Sequence, residues 1–187
     1  MNLPSAAPLS VSLSRLARLS RALEIMADIG IALVATLTVA CFLVPDWTRN
    51  LLLAKLGQVG AALPVTPRTR LAAATVVAVP VAVMLYGLWH VRALFREFGQ
   101  GRVFTERAAR HLQMFAITVL AQAPLGPLTS AGLSFAVSMA QDTGPRMFAI
   151  TLSLHDYYAL IVGGALFAIA SVMREAARLA DENAGFV

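Results

Sequence analysis

Two carboxylates stand at the edges of long apolar runs. Asp28 lies about one turn into the first run and Asp156 about one turn into the last. An ionisable group inside a membrane-spanning helix is costly, so it is the best generic flag of function in such a chain. Two of them suggest proton or ion coupling. Their placement argues against a relay, because the topology derived below puts them on opposite sides of the membrane. Arg92 falls at the same rim as Asp28, and that pairing would be structural. Isolated rim acids also snorkel to the interface. His90, His111 and His155 belong to three different segments, the first two near one surface and the third near the other. They do not meet as a three-histidine site. His155 and Asp156 are neighbours, and helical neighbours point about 100° apart, which suits chelation of one ion poorly. There is no serine elbow and no histidine–glutamate zinc motif. Cys41, the single cysteine, lies within an apolar run where a thiolate is costly. The chain is therefore read as non-enzymatic, with no catalytic residue, no metal and no cofactor.

The elements that carry these residues follow from composition. Of 187 residues, 58% are hydrophobic and 13% charged, against about 45–50% and about 25% in an ordinary soluble domain. The mean hydropathy is +0.73. A soluble domain of this size exposes too much of its surface to hide so many apolar side chains. A disordered chain and a disulfide scaffold are excluded as well. Net charge +5 would suggest nucleic acid in a soluble domain. Here the cations are judged by their place beside apolar runs, and no direct nucleic-acid binding is expected.

A spanning helix needs about 20 mostly apolar residues. Four runs qualify, at about 25–44, 71–91, 112–136 and 154–173. The third contains Pro124 and Pro127. Ending it at Ala123 leaves too few residues to cross, so a helix with a kink near 120–127 is expected, leaving the membrane around 134–141. Pro80 should bend the second run. Such prolines are tolerated where neighbouring helices satisfy the freed carbonyls. The fold class is all-α: a four-span transmembrane helical bundle with short interfacial amphipathic helices.

Orientation follows from the cations. Arg15, Arg18 and Arg21, then Arg92, Arg96, Arg102, Arg107 and Arg110, then Arg174 and Arg178 fall on one side. Arg49, Lys55, Arg68, Arg70 and Arg146 fall on the other. The positive-inside rule puts both termini in the cytoplasm of a bacterial inner membrane. Trp47, after the first run, suits the outer interface. A signal peptide is the rival reading of the first run, with Cys41 closing a loose lipoprotein box. The long preceding tail and the apolar run beyond the cysteine oppose it.

Residues 1–24 are read as a disordered Ser-, Pro- and Ala-rich tail, to about residue 12, followed by a short amphipathic helix. Leu16, Leu19 and Leu23 mark its apolar face, and Arg15, Arg18 and Arg21 meet anionic headgroups. Residues 25–187 form one transmembrane domain. In the 45–70 connection, Leu52, Leu56, Val59 and Leu63 mark an interfacial helix ending near Pro64. The 92–111 connection is more specific. Gly99 and Gly101 permit left-handed backbone, Thr105 is a helix N-cap, and Glu106 sits in the first turn. It reads as helix, glycine turn, capped helix, and not as a phosphate loop.

The stretch Phe98-Gly99-Gln100-Gly101-Arg102-Val103-Phe104-Thr105 and the terminus Glu175-Ala176-Ala177-Arg178-Leu179-Ala180-Asp181-Glu182-Asn183-Ala184-Gly185-Phe186-Val187 carry a family resemblance. Together with four spans over residues 25–187, they resemble the bacterial four-helix membrane family called domain of unknown function 2975. The terminal Phe186-Val187 stands where many members carry Thr-Val or Thr-Ile. The resemblance implies no enzymatic activity. It also implies association with a small cytoplasmic helix-turn-helix transcription regulator, which is fold-level analogy.

Small-residue stripes at Ala32, Thr36 and Ala40, at Ser130, Ser134 and Ser138, and at Gly164 and Ala168 suit close helix packing, within the bundle or in a homo-oligomer. The favoured reading is a membrane-anchored regulatory partner whose contact surface is 92–111 plus 174–187. Gly101, Arg102, Phe104, Thr105, Arg107, Arg178 and Glu182 are its candidate binding residues. A solvated helix end whose arginines only set topology explains the same charges. The alternative function is a small-solute or ion transporter acting as an oligomer through Asp28 and Asp156.

Overall fold

The computed structural model describes residues 7–57, 66–139 and 153–184. All regular structure in them is helical: α1 (Ala7–Leu43), α2 (Pro45–Leu56), α3 (Pro67–Gly99), α4 (Glu106–Met139) and α5 (Leu154–Ala184). Helices α1, α3, α4 and α5 are each long and apolar enough to cross a membrane. In lipid every backbone polar group must be satisfied within the protein, and a helix does this segment by segment.

The long helices pack in sequence order, α1 on α3, α3 on α4 and α4 on α5. α4 is the centre, with 33% of its apolar window buried against 6% for α1 and 11% each for α3 and α5. Small side chains make many of the contacts, beside buried leucines at Leu94, Leu112 and Leu133. Ala73, Ala108, Ala109, Ala116, Ala123, Ala170 and Ala177 are all buried, while Ile25, Met26, Ile29, Tyr157, Ile161 and Val172 are exposed. Alanine lets backbones approach closely, and the large aliphatics cover a surface for which lipid is the favourable surrounding.

Several local expectations change. The 7–24 segment is no separate helix. α1 runs from Ala7 without a break into the apolar run, so residues 7–12 are helical and not a disordered tail. Pro8 falls in the first turn, where the missing N–H costs nothing, and the helix continues unbroken to Leu43. Leu19 is exposed, as a leucine facing the membrane would be, while Ser20 is buried, with its Cβ close to Gly99. The small residue faces the neighbouring helix and the leucine faces outward.

α2 realises the interfacial helix. Thr48, Leu52 and Leu56, one turn apart, are its buried stripe. Leu52 and Leu56 pack with Ala73 and Leu133. The helix stops at Gly57, whose φ is +63°, while the expected face at Val59 and Leu63 and the end at Pro64 lie outside the described residues. So do Arg146 and the terminal Phe186-Val187 pair. At this end of the molecule Arg70 donates to the carbonyls of Phe42 and Leu43. That places a cation on the orphan carbonyls at the C-terminus of α1.

α4 passes through both Pro124 and Pro127 as one helix. Gln122 Nε2 donates to the Pro80 carbonyl at 3.1 Å, a polar tie between the two proline-bearing segments. The small-residue stripes divide. Ser130 and Ser134 are buried on α4, and the Ser130 and Ser138 hydroxyls donate to carbonyls of their own helix. On α5 the packing glycine is Gly163. A Cβ there would lie 2.8 Å from the Leu120 backbone nitrogen, whereas Gly164 has nothing within 4 Å. Ala32, Thr36, Gly164 and Ala168 are exposed, so those stripes do not serve the bundle described here.

This difference of one residue is testable. Gly163→Ala must push α5 off the α4 backbone, at a cost of about 1–3 kcal/mol. Gly164→Ala should be neutral. Thermal unfolding in one detergent, with helicity as the readout, should show a lower Tm for Gly163→Ala alone.

Candidate functional site

The ion pairs among the described residues lie toward the end that carries the α3–α4 turn, the basic end. The turn is built from its backbone. Gly101 has φ +77°. Its N–H donates to the Phe98 carbonyl at 3.0 Å, and the Arg102 N–H donates to the Glu97 carbonyl at 3.1 Å. That pair of bonds, with a left-handed glycine between them, is the Schellman arrangement that closes a helix C-terminus. The flanking contact, commonly apolar, is here ionic. Arg102 Nε and Nη2 donate to the Glu97 carboxylate at 2.6 and 3.0 Å. These hydrogen bonds hold the Arg102 guanidinium above its ordinary pKa, so it stays charged at any physiological pH. The next helix then starts at once. Thr105 Oγ1 accepts from the Ala108 N–H at 3.3 Å, the bond of an N-cap, and Glu106 lies in the first turn.

The candidate residues therefore separate by role. Gly101, Arg102 and Thr105 build the turn. Phe104 is 69% exposed and Arg107 is exposed beside it; these two project from it. Arg178 is occupied on α5, 2.7 Å from Glu175 and 3.6 Å from Glu182. No hydrogen bond or ion pair among the described residues joins Phe104 or Arg107 to Arg178 or Glu182. Arg174 ties α5 to α4 through Gln113 Oε1 at 3.0 Å.

Both acids of the apolar runs have structural partners. Asp28 Oδ1 is 2.6 Å from Arg92 Nε, across α1 and α3. The Nε–H is not aimed at the carboxylate, so the contact is an ion pair without a directed hydrogen bond. The same guanidinium lies 5.7 Å from the Trp89 ring centroid, within cation–π range. Asp156, at the opposite end, accepts from the N–H and hydroxyl of Ser153 at 2.8 and 3.0 Å. It is the third helical residue reaching back to the N-cap, the acidic half of a capping box. It also packs against Gly126, where a Cβ would collide with its carboxylate.

The structure pairs two histidines that the sequence placed only near the same surface. His90 Nδ1 and His111 Nδ1 are 2.9 Å apart, with Tyr86 edge-on to His90 at 4.6 Å between centroids. One ring must donate and the other accept, so the bond requires at least one neutral imidazole. The signal was present in the numbering. The two histidines stand eleven and ten residues from Gly101, and an antiparallel hairpin brings residues equidistant from its turn together. His155 takes no part. Its neighbour Asp156 lies against Gly126, fifteen residues beyond His111 on α4, roughly 22 Å at 1.5 Å per residue. Among the described residues, no three His, Cys, Asp or Glu side chains converge as metal ligands.

The fold and this end of it define an all-helical protein with four helices long and apolar enough to span a membrane. Over residues 31–185 the chain matches the family described as protein of unknown function, DUF2975, and it belongs to that family. Comparison with curated proteins and with solved structures gives no match. The family region begins after Arg18, Arg21 and Asp28, so the α1 side of the basic end lies outside it.

The turn makes one prediction. Gly101→Ala forces a Cβ into left-handed backbone and should cost about 1–2 kcal/mol. Limited proteolysis between α3 and α4 should become faster, with total helicity unchanged.

Proposed function

We propose that this protein is a non-enzymatic, membrane-anchored regulatory partner of a cytoplasmic protein, in a bacterial inner membrane with both termini cytoplasmic. The observation that carries it is Phe104. A large aromatic ring stands 69% exposed on a turn held by two backbone bonds, an ion pair and an N-cap. It lies between two apolar spans and not within one. A rigid aromatic flanked by arginine is the composition of a protein-binding hot spot. The cations around it support a cytoplasmic placement by the positive-inside rule. A small helix-turn-helix regulator is the partner that the family resemblance implies.

The transport reading rests on Asp28 and Asp156. Both are engaged, one with Arg92 and one in a helix cap, so no observation favours it.

The test is crosslinking in native membranes, followed by identification of what co-purifies. The variant is Phe104→Ala with Arg107→Glu. Arg102 is left alone because it holds the turn. A cytoplasmic regulator recovered with the wild type should fall at least about tenfold with the variant, the loss of one hot spot. Both forms must insert equally. Recovery of only the chain itself, or equal recovery from both forms, would reject the proposal.

A further inference from the structure

Between α1 and α3 at the basic end lies a cavity of about 360 Å³ lined by Arg18, Arg21, Glu24, Arg96, Gly99 and Gln100. Three guanidiniums face one carboxylate, so the lining carries a net charge of +2. Among the described residues, neither Arg21 nor Arg96 makes a hydrogen bond or an ion pair. Like charges drawn into one concavity repel, and an anion placed among them relieves that repulsion. Guanidinium forks match phosphate oxygens two at a time. Two of the carbonyls at the end of α3, those of Glu97 and Phe98, are engaged by the N–H groups of Gln100, Gly101 and Arg102 and so oppose an anion less.

Depth decides what kind of phosphate. Arg21 and Arg18 stand seven and ten residues before Asp28 on α1, roughly 10–15 Å further from the apolar core at 1.5 Å per residue. That is the headgroup layer of a bilayer whose apolar region starts near Ile25. Leu19, Ile25 and Met26, on the same helix, are exposed and offer acyl chains a surface beside the cavity. Basic pockets between spanning helices at the cytoplasmic side suit anionic headgroups.

The geometry points to a site for one phosphodiester headgroup of an anionic phospholipid, clamped between α1 and α3 by Arg21 and Arg96, with Arg18 on the same cavity wall. The site does not depend on the regulatory role proposed above. It borrows Arg18 and Arg21 from the segment that precedes the family region and Arg96 from within it.

The full chain in nanodiscs, or carried from detergent into native mass spectrometry, reads this directly. One phosphatidylglycerol per chain should be retained in preference to phosphatidylcholine by about tenfold or more, the scale expected of two net charges near the surface. Arg21→Gln with Arg96→Gln should bring that preference to within about twofold. Arg107→Gln with Arg110→Gln removes the same charge outside the cavity and should leave it unchanged. Helicity and a monodisperse elution profile verify that each variant is folded. Equal losses from both double variants would reduce the effect to general surface charge and overturn the site. An undiminished preference in Arg21→Gln/Arg96→Gln would overturn it too. Inorganic phosphate and glycerol 3-phosphate form the soluble arm. If either at millimolar concentration displaces the lipid, the cavity takes free phosphate and the lipid assignment fails.

Discussion

The turn from Glu97 to Thr105 is the constraint on which the central register depends. Gly101 reverses the chain with a left-handed residue, the Glu97–Arg102 ion pair closes the loop, and Thr105 restarts the ladder within four residues. A turn so short leaves α3 and α4 antiparallel neighbours, with each residue facing the one equally distant from the turn. His90 meets His111, and Gln122 reaches Pro80. Helix α5 then takes its place against α4, and α1 against α3.

Around that hairpin small residues make the closest approaches. Alanines and Gly163 sit in the contacts between the long helices with Leu94, Leu112 and Leu133 buried among them, while Ile25, Ile161 and Tyr157 face outward. The hydrophobic effect does not drive helix association between lipid-solvated surfaces, so close approach and polar ties carry specificity. The charged groups sit toward the two ends, while ties such as Gln122 to Pro80 lie within the spans. Arg70 serves the C-terminus of α1 at one rim. The Asp28–Arg92 pair, the histidine pair and the Arg-lined cavity lie toward the other.

The two acids show how a sound local flag can acquire a different meaning. An aspartate inside an apolar run reads as coupling or transport. In three dimensions Asp28 has Arg92 opposite, and Asp156 has Ser153 and its own helix N-terminus. Each pairing is a short-range solution to the cost of an ionised group near lipid. Phe104, Glu106 and Arg107 stay exposed at the basic end.

Much of this was legible one residue at a time. The four spans follow from hydropathy and length because a bilayer has one thickness and admits one economical backbone solution. The turn chemistry is local, so residue type placed the turn and the Thr105 cap, while only Gly101 and not Gly99 takes left-handed backbone. The family was legible from two short motifs and their separation. What needed the tertiary structure was everything set by rotation about a helix axis. Gly163 and not its neighbour packs on Leu120, Ser20 and not Leu19 faces inward, and Arg96 joins Arg18 and Arg21 around one cavity. A helix that is apolar nearly all round carries little periodic signal to say which side meets its neighbour. Small residues make that choice through close contact, and contact exists only once two helices are placed side by side.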